Sequence, residues 1–153
     1  MSRKLRRAAL LAPIVALLGC GGSATKVEDL NATVLTLPGG KKIMAETMRT
    51  QETMARGMMF RDVLPKDRGM LFVHTAEGKY AYWMFNCKVP LDIVWMNKSR
   101  QVVEISLSTP PCPSTNPDEC PSFGGHQNAQ YVLELNGGAA IEYGIAAGSQ
   151  LNF

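Results

Sequence analysis

Only two histidines, His74 and His126, occur in the 153 residues. No tight His/Cys/Asp cluster of the kind that zinc requires accompanies them. No glycine-rich loop stands between a strand and a helix to cradle a phosphate; the glycines at 137, 138 and 144 read as turns and caps. Regular strand–helix alternation is missing, which argues against a doubly wound parallel sheet. Beyond residue 18, no apolar run approaches the ~20 residues that span a bilayer. A charge bias is missing too, once the ends are separated. The chain carries 16 Lys and Arg against 13 acids, but Arg3, Lys4, Arg6 and Arg7 all precede residue 19. From Cys20 onward that leaves 12 cations against 13 anions, a net −1. The basic pI of 8.7 therefore belongs to the first residues and gives no reason to expect a nucleic-acid partner.

What the first residues contain is an address. Four positive charges precede an apolar run at residues 8–18 that is too short to cross a membrane. A basic start, a short apolar middle and a small-residue exit are the plan of a secretory signal peptide. The ending Leu17-Leu18-Gly19-Cys20 resembles the lipobox of bacterial lipoproteins, in which the cysteine is lipidated and becomes the first mature residue. The expected organisation is a signal peptide at 1–19, a flexible polar tether at 20–30 and one domain at 31–153. The expected location is the cell envelope, facing the periplasm, with Cys20 on the membrane. Two or three acyl chains on Cys20 would meet the requirement that stable anchoring takes more than one chain. An ordinary cleaved signal or an uncleaved anchor is the plainer alternative. Export also places the remaining cysteines in an oxidising compartment. Cys112 and Cys120 lie close together in a proline-rich loop and are paired here. Cys87, inside an apolar stretch, is expected to be buried and reduced.

The stretch YAYWMFNCKVPLDIVWM, residues 80–96, is the least interrupted apolar run after the signal, and it holds both tryptophans. Asn86, Lys88 and Asp92 sit inside it. Polar groups taken from water need partners, so these are either satisfied in the fold or line a site. Around this run the pattern predicts strands at 31–37, 42–47, 69–74, 80–85, 91–96, 101–107, 130–135 and 150–153. Pro38-Gly39-Gly40, residues 76–79 and residues 97–100 read as turns. A helix starts at Thr50, which can cap it, with Glu52 in its first turn and Gly57 near its end. A second short helix is expected at 138–144. Residues 109–129 form a long Pro/Ser/Asn/Gly loop, a length that is usually functional or disordered, and the paired cysteines argue against disorder. The fold class expected is α+β, mostly antiparallel, a compact curved sheet or small barrel with one or two short helices.

Six segments in order carry a family resemblance: Arg56-Gly57-Met58-Met59-Phe60-Arg61, Gly69-Met70-Leu71-Phe72, Tyr82-Trp83-Met84-Phe85-Asn86, Pro90-Leu91-Asp92-Ile93, Pro111-Cys112-Pro113 with Cys120-Pro121, and Tyr131-Val132-Leu133-Glu134-Leu135. From about residue 35 to 153 the chain resembles the domain of unknown function DUF192. That family usually has Phe before the Trp and Lys-Asn-Thr after the Met. Here those positions are Tyr82 and Phe85-Asn86-Cys87, so a role for the usual lysine side chain does not carry over. The resemblance implies a compact, β-rich, often exported domain, and it supplies no activity.

Arg56, Arg61, Asn86, Asp92 and Glu134 are the polar residues within these segments and form the candidate ligand-binding set. Guanidinium matches carboxylate or phosphate geometry, so an Arg-lined cleft would suit a small anionic ligand. The plainer reading is that Arg56 or Arg61 neutralises Asp92 or Glu134. Asp92 and Glu134 could serve as an acid/base pair only at a specific carboxyl separation, which spacing in sequence does not give. Nucleophilic catalysis would need Cys87 exposed beside a histidine. Cys112, Cys120 and His126 could supply three metal ligands, but the compartment favours the disulfide. Eight methionines follow Met1; thioethers select Cu(I), yet methionines at such spacings usually fill cores. The reading taken forward is a lipid-anchored binding or accessory module of the envelope, with a small anionic ligand or an envelope protein as partner. It calls for no cofactor, no metal and no catalytic residue. An envelope enzyme acting on a polar or anionic substrate through Arg56, Asp92 and Glu134 is the alternative, and copper handling by methionines is third.

Overall fold

Val132 and Glu134 alternate with Leu133 and Leu135, and a strand carrying that pattern must find cover on both of its faces. In the computed structural model, which describes residues 31–153, this strand (β8, Ala129–Asn136) lies inside a six-stranded sheet. The other members are β1 (Ala32–Thr36), β2 (Lys42–Met48), β3 (Arg68–Gly78), β5 (Leu91–Met96) and β6 (Val102–Thr109). The order is β1-β2-β3-β8-β5-β6. Every neighbouring pair is antiparallel except β2 and β3. A parallel pair needs a crossover, and the crossover here contains α1 (Gln51–Arg56). Thr50 caps that helix as expected, its hydroxyl accepting from the Thr53 N–H. A short antiparallel pair, β4 (Tyr82–Trp83) with β7 (Ser122–Phe123), stands apart from the main sheet.

The two sheet faces carry two cores. On one, Leu71, Leu133, Leu135, Val94 and Met96 pack under α2 (Ala139–Glu142) and Leu151. On the other, Met70, Phe72, Val132, Ile93 and Trp95 pack under Met58, Leu64 and Met84. All six residues of β5 are buried, because the sheet is covered on both sides there.

The fold is the expected α+β class, a mixed but mostly antiparallel curved sheet, and it does not close into a barrel. Residues 150–153 are not a strand. They make single bridges, Gln150 to Gln101 and Asn152 to Thr36, which tie the two sheet edges together at one end. Strand β3 runs through the expected turn at 76–79, because beyond a register shift Gly78 still pairs with Ala129. The expected strand at 80–85 shrinks to two residues, since its partner is the equally short β7. The long loop after β6 is ordered: it holds a single 3-10 turn at Pro117–Glu119, strand β7 and the Cys112–Cys120 disulfide, whose Cα atoms are 5.4 Å apart. Cys20 and the proposed signal and tether lie outside the described residues.

Candidate functional site

Register decides which acids share a face. Asp92 pairs with Leu135 and Ile93 with Glu134 across β5 and β8, so Asp92 and Glu134 point to opposite sides of the sheet. Asp92 is 0% exposed. Its Oδ1 accepts from the backbone N–H of Ser108 (2.6 Å) and Gly138 (3.0 Å), and Oδ2 from that of Ala140 (2.7 Å). The arginine partner expected for Asp92 is not there. Backbone donors at the start of α2 and near the end of β6 satisfy it instead, as orphan helix N–H groups commonly are satisfied by an acid.

Glu134 faces the other way. It is 4% exposed, and its Oε2 has no hydrogen-bond partner among the described residues. Burial raises its carboxyl to about 8, with the Arg61 charge pulling weakly in the opposite direction. Arg61 is itself committed: Nη1 and Nη2 donate to the two carboxylate oxygens of Glu46 at 2.5 and 2.7 Å. Glu46, Met70 and Glu134 stand in one row across β2, β3 and β8, which places the Arg61–Glu46 pair on the same sheet face as Glu134 with Met70 between the two acids.

Above Glu134 is a cavity of about 200 Å³. Its walls come from α1 and the turn after it (Met54, Arg56, Met58), from β3 (Phe72, His74) and from residues 80–87. Gly57 makes room in this wall: it adopts φ +43, and a Cβ there would stand 3.2 Å from the Phe72 ring. The aromatic residues brace one another. His74 stacks on Tyr80 with ring centroids 3.5 Å apart, and Tyr82 meets the edges of both Phe72 and His74. The Tyr82 hydroxyl lies 3.1 Å from His74 Nε2. Burial lowers the His74 pKa, so the ring is neutral at pH 7. Tyr82 is pushed well above its ordinary range, chiefly by burial and then by the Glu134 charge once that forms. Cys87 is free and half-buried, not fully buried as expected; burial first, then Glu134, raises its thiol to about 12, so it stays protonated. A thiol of that kind is a poor nucleophile.

Of the five candidate residues, Arg56 and Glu134 line the cavity. Arg61 is not in the lining and is held in its pair with Glu46. Asn86 contributes backbone: at φ +54 its carbonyl accepts from the N–H of Phe60, which is at φ +66, fastening the turn after α1 to the 84–87 segment. Asp92 is across the sheet. Sequence reasoning missed the ring wall; the cluster Tyr80, Tyr82, Trp83 and Phe85 was visible but read as a strand. Met54, Met58 and Met59 line the cavity too, whereas Met70, Met84 and Met96 are core. Among the described residues no group of three or more His, Cys, Asp or Glu side chains is placed to hold a metal. His126 pairs with Glu104 through Nδ1 at 2.5 Å, away from the disulfide cysteines that could have joined it as ligands.

These features define an α+β domain with a ring-lined cavity over one face of an open mixed sheet. The chain belongs to the DUF192 family, described as uncharacterised ACR, whose model matches residues 33–153. It is similar to a protein of unknown function from Novosphingobium aromaticivorans DSM 12444, with 27% identity and a TM-score of 0.68 over 80% of this chain and 85% of that one. A structure from Sinorhizobium meliloti 1021, named as a candidate transcription regulator, shares the fold with a TM-score of 0.68 at 24% identity, over 78% of this chain and 89% of that one. No curated protein matches the sequence.

Proposed function

We propose that this protein is a binding module of the bacterial cell envelope, held at the membrane through a lipid on Cys20, and that its ligand occupies the cavity over Glu134. One observation carries the reading: Glu134 Oε2 is buried without a hydrogen-bond partner among the described residues, in a cavity walled by rings and thioethers. Nearly all buried polar groups are satisfied within a fold, and leaving one unsatisfied costs about 1–3 kcal/mol. The fold gains nothing from such a group, whereas a ligand can supply a donor or an opposite charge to it. The enzyme alternative has less support, because the sheet stands between Asp92 and Glu134 and no single reacting atom can touch both. Copper handling keeps one point in its favour, since Met54, Met58 and Met59 share the cavity with Cys87. A buried carboxyl, however, is a hard oxygen donor and foreign to a soft thioether set.

The test is Glu134→Met, which keeps the volume and removes the polar atoms. The variant should be more stable than wild type by about 1–3 kcal/mol, several degrees in Tm for a domain of this size. The gain should depend on pH. The folded carboxyl titrates near 8 and the unfolded one near 4.5, so the folded state holds the extra proton between those values. Wild-type stability should therefore fall as pH rises from about 4.5 to 8, and the variant should lack that fall. A Glu134→Met protein that melts below wild type across this range would make Glu134 a structural residue and remove the site.

A further inference from the structure

Four features of the cavity bear on what it holds: a buried carboxyl at its base without a partner among the described residues, aromatic side chains in its walls, a neutral histidine among them and an arginine in its lining. From these we infer that the cavity takes a small zwitterion carrying a methylated ammonium, the cationic head against Glu134 among the rings and the acidic end toward Arg56. This rests on the proposed binding role and adds the ligand class.

The rings argue for a cation. An aromatic face attracts positive charge, and cages of rings are the recurring way to hold quaternary ammonium groups. Phe72, Tyr80, Tyr82, Trp83 and Phe85 all line the cavity. His74, stacked on Tyr80, is held neutral by burial and brings no competing charge. The base argues for a methylated head. A primary ammonium brings three N–H donors, and Glu134 supplies the one carboxyl in the lining, while the Tyr82 hydroxyl is already engaged with His74. A trimethylammonium has no donor to satisfy and asks only for negative charge and apolar contact. Arg61 is the cation whose charge acts on Glu134, and that charge is offset by the bidentate pair with Glu46. Arg56 makes no ion pair among the described residues and is open to the acidic end. The volume of about 200 Å³ is on the scale of a small-molecule site.

Binding would ionise Glu134: the ammonium replaces the proton, which leaves to solvent, and no covalent bond changes. Around that carboxyl the titratable or charged groups are Arg61 and Glu46 on its sheet face, Tyr82, Tyr80 and His74 in the wall, Cys87 across from it and Arg56 in the lining. Tyr82 and Cys87 stay protonated and His74 stays neutral around pH 7 to 8, so Glu134 dominates the pH dependence there.

The experiment is calorimetric titration of the purified 20–153 chain with glycine betaine, with tetramethylammonium and with 3,3-dimethylbutanoate, which has the shape of betaine without its positive charge. Betaine should bind with release of protons, and its affinity should rise up to tenfold per pH unit and level off above about pH 8. The butanoate should bind at least tenfold more weakly. Glu134→Gln should lose at least tenfold for betaine. Arg56→Met should weaken betaine several-fold and leave tetramethylammonium unchanged. Equal or tighter binding of the butanoate would overturn the ligand class, as would failure of both ammonium probes to bind at 10 mM. Either result leaves the binding role standing if Glu134→Met still melts above wild type; the loss of that stability gain is what removes the role itself.

Discussion

Asp92 and Glu134 are buried acids on adjacent strands, and what separates them is the supply of donors. Three backbone N–H groups converge on Asp92. Oε2 of Glu134 receives none among the described residues. A carboxylate that accepts from orphan N–H groups at a helix start does structural work, and hydrogen bonds to charged groups are worth about 1.5–3 kcal/mol each. Asp92→Asn keeps one acceptor but turns an amide N–H₂ toward a backbone donor. It should cost about 2–4 kcal/mol, partly additive over the bonds disturbed, and lower the melting temperature by about ten degrees. Ligand binding at the cavity should survive, because Asp92 lies on the far side of the sheet. A variant that melts with wild type would show that the three amides do not depend on the charge. In the sequence Asp92 stood out by the apolar run around it, and both acids by their place in the family-like segments. Neither signal could tell satisfied from unsatisfied, since the donors to Asp92 come from residues 16 to 48 positions away.

At the scale of elements, the cavity depends on segments that carry little regular structure. Residues 80–87 form one wall with a strand of only two residues, and the long loop after β6 supplies the partner strand. That loop is held down by close packing. Gly124 adopts φ +65, and a Cβ built there would stand inside the Trp95 indole. Trp95 is fully buried, and its Nε1–H donates to the Tyr80 carbonyl at 2.8 Å, so the same ring fixes the start of the cavity wall. Gly124→Ala must therefore move either the loop or the indole. Overpacking of this kind costs about 1–3 kcal/mol, and the left-handed backbone adds to it. The variant should melt several degrees lower, and the fluorescence of Trp95 should change with the displaced ring. An unchanged spectrum and melting point would mean that the loop gives way freely. This contact explains why the hairpins were legible and the cavity wall was not. Strands β1, β2, β5 and β6 follow from alternation and from the turn at Pro38-Gly39-Gly40, where Gly39 and Gly40 both take positive φ. The short strands β4 and β7, the run of β3 past its expected end and the bridging tail at 150–153 all exist through partners distant in sequence. No local pattern encodes such partners, because pairing at that range is decided by the packing of the whole domain.

For the whole molecule, the described residues 31–153 and the proposed leader before them answer to different physics. Among the described residues no helix is long and apolar enough to cross a membrane. The part from Cys20 onward carries a net −1, so attraction to anionic lipid gives it no hold on a surface. The proposed hold on the envelope membrane is assigned to the residues before the domain, where Leu17-Leu18-Gly19-Cys20 stands. A single acyl chain gives marginal, reversible binding, and two or three give stable attachment. Cys20 is thus the one residue on which membrane residence should turn. Cys20 lies outside the described residues, so the stability and ligand binding of the domain serve as internal controls for Cys20→Ser. Wild type should sediment with membranes, resist extraction by high salt and dissolve in detergent, since the hold is hydrophobic and not electrostatic. The Cys20→Ser protein should appear in the soluble periplasmic fraction or remain as the unprocessed precursor, heavier by the signal, and it should lose incorporation of a labelled fatty acid. A variant that sediments, migrates and labels as wild type does would sink the lipid tether and leave a cavity-bearing domain whose place in the cell rests on some other contact.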